Sequence, residues 1–447
     1  FSDWSNISKS LRSHDNATAL DHTQSMLKWR ELEMRLKNKK TIDHQELSRK
    51  KRWHDVLTRL VSITISLASR NLAFRGSSDC LQEANNGNFL KEVELLALFD
   101  PVMENHLSRV KDKSTCTHYL GQQIQNELIQ LISYKILKTI VSNIHQAKYY
   151  SIIHKEQMSV ILRTVALEPK PEVKEYFLGY VEVQTTGLNR SNVILDKLQE
   201  LQIPFENCRG QAYDNGANMK GKSQGVQARL LKQNPRALFV PCGAHSMNLA
   251  ADEPISDAFK KLEVTFFNSV VDSALASLQE RFEIFTQVKD RFGVLLDFSQ
   301  VQGMSKETLQ KHCTEVEKTL TAVEKGDSDI DGQELAQEII NLPQLPPLTT
   351  ALEMLSFLHD NHLQELYPNL WIAVRIAVTL PVTVASAERS FSKMKLIKTY
   401  LRSSMAQERM SGLAIVSINS ELAKALSYEE LIYDFASRKS RNVLFKV

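Results

Sequence analysis

The chain has 447 residues, 43% of them hydrophobic, with only 12 Pro and 15 Gly, which fits a helix-rich folded protein and excludes a disordered one. A formal net charge of +3 is too mild to announce nucleic acid by itself, so such a partner has to be argued from local patches. Five scattered cysteines, Cys80, Cys116, Cys208, Cys242 and Cys313, point to reduced thiols in a cytosolic or nuclear compartment rather than to a disulfide framework.

No secretory signal opens the chain, and a start at Phe1 rather than Met points to sequence upstream. Residues 1–145 alternate polar caps with helical periodicity. In "RKKRWHDVLTRLVSITISLASRNLAF" the residues Val56, Leu57, Leu60, Val61, Ile63 and Leu67 fall near one stripe, and "FLKEVELLALF" and "GQQIQNELIQLISYKILKTIVSNI" repeat the trend. Two basic runs, "RLKNKK" and "SRKKR", the second holding Lys50, Lys51 and Arg52, read as a solvated helix surface, a nuclear-localisation signal or a phosphate-facing patch. From Tyr149 the period shortens. "KYYSII", "QMSVILRTV" and "EYFLGYVEV" predict three strands in an antiparallel meander. A helix over "RSNVILDKLQELQI", a strand "NCRGQAY" ending at Asp214, a helix over "SQGVQARLLKQN", a strand "RALFVPC" and a helix opened by "AHSMNLA" follow, giving the order β-β-β-α-β-α-β-α.

Further along, "DSDIDGQELAQE" fits a calcium-loop pattern, with Asp327, Asp329, Asp331, Gly332 and Glu338 at the ligand and glycine positions. Against it, Glu334 stands at the usually apolar eighth position, and no second loop exists to pair with. Cys242 and His245 are spaced C-x2-H, but two ligands do not make a zinc site, and His14 and His22 have no partners within the chain. "LWIAVRIAVTLPVTVASA" carries Arg375 and Pro381, which predicts a buried helix followed by a break rather than a membrane span. Ser404 with Gln407 and Ser427 with Glu430 read as capping boxes, with a Leu426–Leu431 staple across the second. The apolar faces of "LWIAVRIAVTL", "FSKMKLIKTYL", "MSGLAIVSI" and "LIYDFA" suit packing on a core plus a partner chain; the alternative is that the core uses all of them.

The strand order, with an Asp just after the fourth strand, resembles the RNase H-like core of DDE-type transposases. "GQAYDNGANMKGKSQGVQARL" followed by "FVPCGAHSMNLA" resembles the hAT transposase superfamily, in its branch with an amino-terminal TTF-type or MYM-type zinc finger. "FSDWSNIS", "NLAFRGS" and "NNGNFL" are similar to the domain that precedes the core there, and "YPNLWIAVRIAVTLPVTVASAERSFSKMKLIKTYLRSSMAQERMSGLAIVSI" to the hAT carboxy-terminal dimerisation region. The resemblance implies an α/β fold: an RNase H-like mixed sheet with flanking helices, preceded by a helical region. It divides the chain into 1–145 (helical), 146–252 (first part of the core), 253–349 (remnant of a shortened helical insertion) and 350–447 (dimerisation region completing the core).

The resemblance also implies two-metal phosphodiester chemistry on converging carboxylates, with Mg²⁺ or Mn²⁺ as the ion of an active enzyme. It carries the second acid onto Asp214 and the third onto Glu388, which falls in the first turn of a helix that Ser386 would cap. The first acid is absent: strand one passes into strand two through His154, Lys155, Glu156 and Gln157, and Glu156 belongs to the turn. By the same resemblance His245 helps to position DNA or the catalytic centre, the alternative being a buried structural pair with Cys242, and Trp371, Phe391, Leu401, Leu413 and Ile418 lie in the dimerisation region. The expected protein is nuclear, requires no cofactor, forms a homo-oligomer, binds DNA or chromatin without any membrane association, and does not cleave DNA. The rival expectations are an active metal-dependent transposase and a calcium-binding adaptor.

Overall fold

In a computed structural model the described residues are 29, 39–113, 118–155, 159–181, 187–213, 225–240, 283, 286–322, 326–342, 350–381, 385–398 and 405–437. The chain divides into two compact units, one of Phe1–Ile63, Lys91–His118 and Tyr428–Val447, the other of Thr64–Leu90 and Tyr119–Ser427.

Helix α1 (Lys39–Ser69) carries the predicted stripe: Val56, Leu57, Leu60, Val61, Ile63 and Leu67 are all buried, since residues three and four apart share one side of a helix. After α2 (Gly87–Ala97), α3 (Pro101–Lys111) starts sharply. Asp100 accepts hydrogen bonds from the Val102 and Met103 amides, and Pro101 takes the first position, where an N–H would have had no partner. Within the first unit Arg59 Nε holds the same carboxylate at 2.7 Å, and Trp53 meets His106 edge-on with ring centroids 5.6 Å apart.

In the second unit α4 (Gln122–Ala147) leads into the meander β1 (Tyr150–Lys155), β2 (Ser159–Ala166) and β3 (Glu172–Tyr180). Then come α5 (Gly187–Glu200), β4 (Cys208–Tyr213), α6 (Val226–Gln233) and β5 (Leu238–Phe239), the series read from the sequence. The sheet order is β3-β2-β1-β4-β5, antiparallel through the meander and parallel across β1–β4 and β4–β5. It is the expected RNase H-like mixed sheet. β1 lies at its centre, and Tyr150, Ile152 and Ile153 are fully buried there, as in a strand covered on both faces.

Beyond β5 the described chain is mostly helical: α7 (286–296), α8 (Lys306–Leu320), α9 (Gly332–Ile340), α10 (Ala351–Asp360), α11 (Pro368–Thr379), α12 (Ala385–Ile397), α13 (Gln407–Ile418) and α14 (Ser420–Ala425). α11 is apolar on almost every side and is buried against β1, β2 and β4. Its end approaches closely because residue 210 is glycine: a Cβ there would stand 2.3 Å from Ser151 Oγ and 2.9 Å from Pro381 Cδ. α12 lies on β1 and β2, while α13 runs along β3 and α4. As an edge strand β3 would offer unpaired backbone groups to another chain. Here Asn419 takes both groups of Phe177, accepting from its amide at 3.2 Å and donating to its carbonyl at 3.0 Å. Gln407 Nε2 and Ser411 Oγ donate to the Tyr180 carbonyl. The last described helix, α15 (Tyr428–Ser437), belongs to the first unit.

The β1–β4 register slips at Arg209, since Tyr150 pairs with Cys208 and Ser151 with Gly210. An extra residue of this kind leaves the ladder. Arg209, whose side chain is 1% exposed, makes a two-pronged bond to Asp329: Nε to Oδ2 and Nη2 to Oδ1, each 2.7 Å. Arg236 Nη1 lies 3.4 Å from the same carboxylate, and the Arg209 guanidinium covers the Tyr149 ring at 4.9 Å. At the other end of β1, His154 is fully buried, its Nδ1 2.7 Å from the Ser159 carbonyl oxygen and its Nε2 without a partner. Burial pushes its pKa down to about 4 against the opposing pull of the Ser159 carbonyl.

Asp329→Ala strands the buried Arg209 charge and is expected to cost roughly 3–5 kcal/mol in urea unfolding, part of it recovered when Arg209→Met and Asp329→Leu are combined. His154 stays neutral when folded but takes a proton near pH 6.5 when unfolded. Stability is therefore complete above that pH and falls by about 3 kcal/mol as the pH drops toward 4. His154→Asn should flatten this dependence across pH 4 to 6.5 in denaturant titrations; a slope identical to that of the parent would rule the imidazole out as its source.

Candidate functional site

Parallel pairing brings the carboxy-terminal ends of β1 and β4 side by side, with Ile153 opposite Ala212 and His154 opposite Tyr213. Asp214 follows Tyr213 directly but lies outside the described residues, as do Glu156, Cys242, His245, Cys116, His14, His22 and Leu401. β1 itself contributes no anion. No carboxylate occurs from Tyr150 to Lys155; Ile153 is fully buried, and the His154 ring stands edge-on to Tyr213 at 6.4 Å. The Tyr213 hydroxyl donates to Gln211 Oε1 at 2.8 Å, and desolvation raises its pKa well above the ordinary phenol value. Gln211 in turn donates to the Ala237 carbonyl at 2.7 Å, so the buried end of β4 is satisfied by neutral hydrogen bonds.

Glu388 sits in the first turn of α12, as expected, and is half-buried on a helix packed against β1 and β2. The expected Ser386 cap is corrected: α12 already includes Ala385, so Ser386 lies inside the helix and cannot hold the cap position before it. Its Oγ is buried without a partner. One turn further the Ser390 carbonyl accepts a 2.6 Å bond from the Tyr180 hydroxyl. Among the described residues no three His, Cys, Asp or Glu side chains gather as metal ligands would.

The calcium-loop reading is overturned by geometry. α9 begins at Gly332, the sixth position of the pattern, so the stretch never forms a loop of that length. Its carboxylates diverge. Asp329 turns to Arg209, Asp331 caps α9 through the Gln333 and Glu334 amides, and Glu338 accepts the Asn369 and Leu370 amides at 3.1 and 2.8 Å, capping α11 from a neighbouring helix.

The residues assigned to dimerisation are largely used inside the fold. Phe391 and Leu413 are buried, Phe391 against Tyr180 with centroids 6.2 Å apart, and Ile418 is half-buried. Trp371 is half-buried and stacks on His359 at 6.5 Å beneath the Arg375 guanidinium. In the basic run Lys51 is exposed, whereas Lys50 and Arg52 are half-buried, Arg52 lying over the Trp53 ring at 5.6 Å. The first expected capping box is also corrected: α13 starts at Gln407 itself, after Ala406, and the Gln407 side chain goes to β3 instead. α15 starts at Tyr428, directly after Ser427, where the second box places it. Sequence reasoning missed Arg209, Asn419 and the capping role of Glu338. Only Arg209, a cation inside an apolar strand, left a readable signal that a buried counterion was needed.

Residues 1–225, just over half of the chain and including β1 to β4, match the family described as ZMYM1/FAM200, RNase-like domain. Residues 332–422, from α9 into α14, match the hAT family C-terminal dimerisation region. No helix among the described residues is long and apolar enough to cross a membrane. The sheet order, the Asp after β4 and the carboxy-terminal helices laid on the sheet thus agree with both matches, and the chain belongs to the ZMYM1/FAM200 RNase-like domain family of hAT-derived, transposase-like proteins.

Proposed function

We propose that this is a domesticated, nuclear transposase derivative that associates with itself through residues about 350 to 447 and binds DNA or chromatin without cutting it. DNA contact would come from an upstream finger and from the basic run at Lys50, Lys51 and Arg52, with His245 beside the old catalytic centre. The observation that carries the reading is a central strand without an acid. Two-metal phosphoryl chemistry needs several hard oxygen ligands converging on one point, and β1 offers a buried isoleucine and a neutral histidine beside the end of β4. Asp214 and Glu388 would remain as two anions, too few to hold Mg²⁺ or Mn²⁺ firmly. Self-association is supported by the match of residues 332–422 to a dimerisation region.

An end-labelled duplex incubated with the protein in Mg²⁺ or Mn²⁺ should be retarded in a gel but remain unnicked, with retardation weakened in Lys51→Glu and steeply reduced by salt. Metal-dependent nicking that vanishes in Asp214→Ala would restore the enzyme. Self-association is best read by sedimentation of the intact chain, because truncation near Leu348 would strip α10 to α13 from the sheet. A dimer or larger species is expected at micromolar concentration, and a monomer throughout the accessible range would defeat that part.

A further inference from the structure

Between the sheet, α7 and the start of α10 lies a cavity of about 430 Å³, within the range of small-ligand sites. Neither Glu388 nor His154 is among its described lining residues. Its walls are apolar, among them Val173, Val288, Val378 and Pro381. Leu296 and Leu352, also in the lining, are 38% and 37% exposed, which is unusual for large aliphatic side chains and marks surface left open to an occupant.

Among the described residues the charge in this lining has one sign: Arg163 and Lys289 contribute to it and no carboxylate does. Arg163 donates from Nη1 to Glu175 at 3.0 Å and from Nη2 to the Val378 carbonyl at 3.3 Å, which leaves its buried Nε without an acceptor. Lys289 is exposed and forms no ion pair among the described residues. Hydrogen bonds from Ser299 and Gln300, with the Lys289 charge nearby, hold the Asp297 carboxyl below its ordinary range. Glu175 holds Arg163, Asp297 holds Ser299 and Gln300, and Glu353 closes a capping box with Thr350. An apolar chamber lined by two cationic side chains suits a ligand with an apolar body and one anionic head.

We propose that this cavity binds a small amphiphilic carboxylate, its aliphatic or aromatic body against the valine and leucine walls and its carboxylate toward Lys289 and Arg163. Titration calorimetry of the full chain with octanoate, and separately with octanol, tests both halves. Octanoate should bind saturably, one per chain, and more tightly than octanol. Lys289→Glu should weaken octanoate about tenfold while leaving octanol unchanged, and Leu352→Asp should weaken both. Both substitutions are at exposed positions, and unchanged circular dichroism would confirm that each variant is folded. Unsaturable uptake of octanoate, or equal affinity for the two ligands with no response to Lys289→Glu, would overturn the assignment.

Discussion

Arg209 has no route to water from its bulge in β4, so a carboxylate has to come to it, and Asp329 does so from a segment 120 residues further along the chain. An uncompensated charge at that depth would cost several kcal/mol, and the two-pronged geometry with Arg236 alongside answers it. The position of Asp329 then fixes its neighbours. Two residues on, Asp331 caps α9, and its own amide donates to Asn369 Oδ1 at 2.9 Å. From α9, Glu338 receives the first amides of α11. α11 returns to the sheet against β1, β2 and β4, where Gly210, next to Arg209 in the strand, leaves room for its end. One buried cation is thus linked, through a chain of caps, to the helix that covers the strand carrying it.

The carboxy-terminal region is a structural part of the sheet unit before it is anything else. α11 and α12 cover one face, and α13 with Asn419 closes the open edge of β3. Association through this region would meet β3 with the Phe177 groups and the Tyr180 carbonyl already taken, and it cannot use Phe391 or Leu413 without opening the fold. Among the described residues of this region, Leu352, Leu366, Leu396 and Tyr433 are 37%, 65%, 54% and 72% exposed, and Trp371 is half-buried. A partner chain would meet a mixed surface of a few apolar anchors among charged side chains, as in many non-obligate interfaces.

Periodicity made the sheet and the helical stripes legible. The shift from a spacing of three or four to alternation near Tyr149 located the meander, and bounds moved, as with β3, read from Glu175 and observed from Glu172. Contacts between distant residues were not legible. "DSDIDGQELAQE" satisfies a local pattern, yet the fate of each carboxylate is decided by Arg209 and by the start of α11, which no local pattern contains. Ser386 failed as a cap for a related reason. A serine preceding a helical run is a good cap only if the helix starts after it, and the packing of α12 on β1 and β2 extends the helix past that point. Asn419 serves β3 across 242 residues, a separation at which a single sequence has no voice.

Membership of a transposase-derived family fixes the scaffold but leaves the chemistry to individual side chains. Among the described residues, the end of β1 and its neighbours bring neutral groups together at His154 and Tyr213. His154 is held neutral by burial, Tyr213 is kept as the phenol, and the hydroxyls of Ser159 and Ser386 are buried without partners. An anionic cradle is normally supported by a surrounding shell of hydrogen bonds that orients each ligand. The Ser159 and Ser386 hydroxyls hold no such ligand in place. Because β1 is fixed on both sides, by β2 and by β4, a single substitution restoring an acid there would place an unpaired charge in the apolar centre of the sheet. An acid at that position would therefore require a rebuilt interior around the strand as well as the substitution itself.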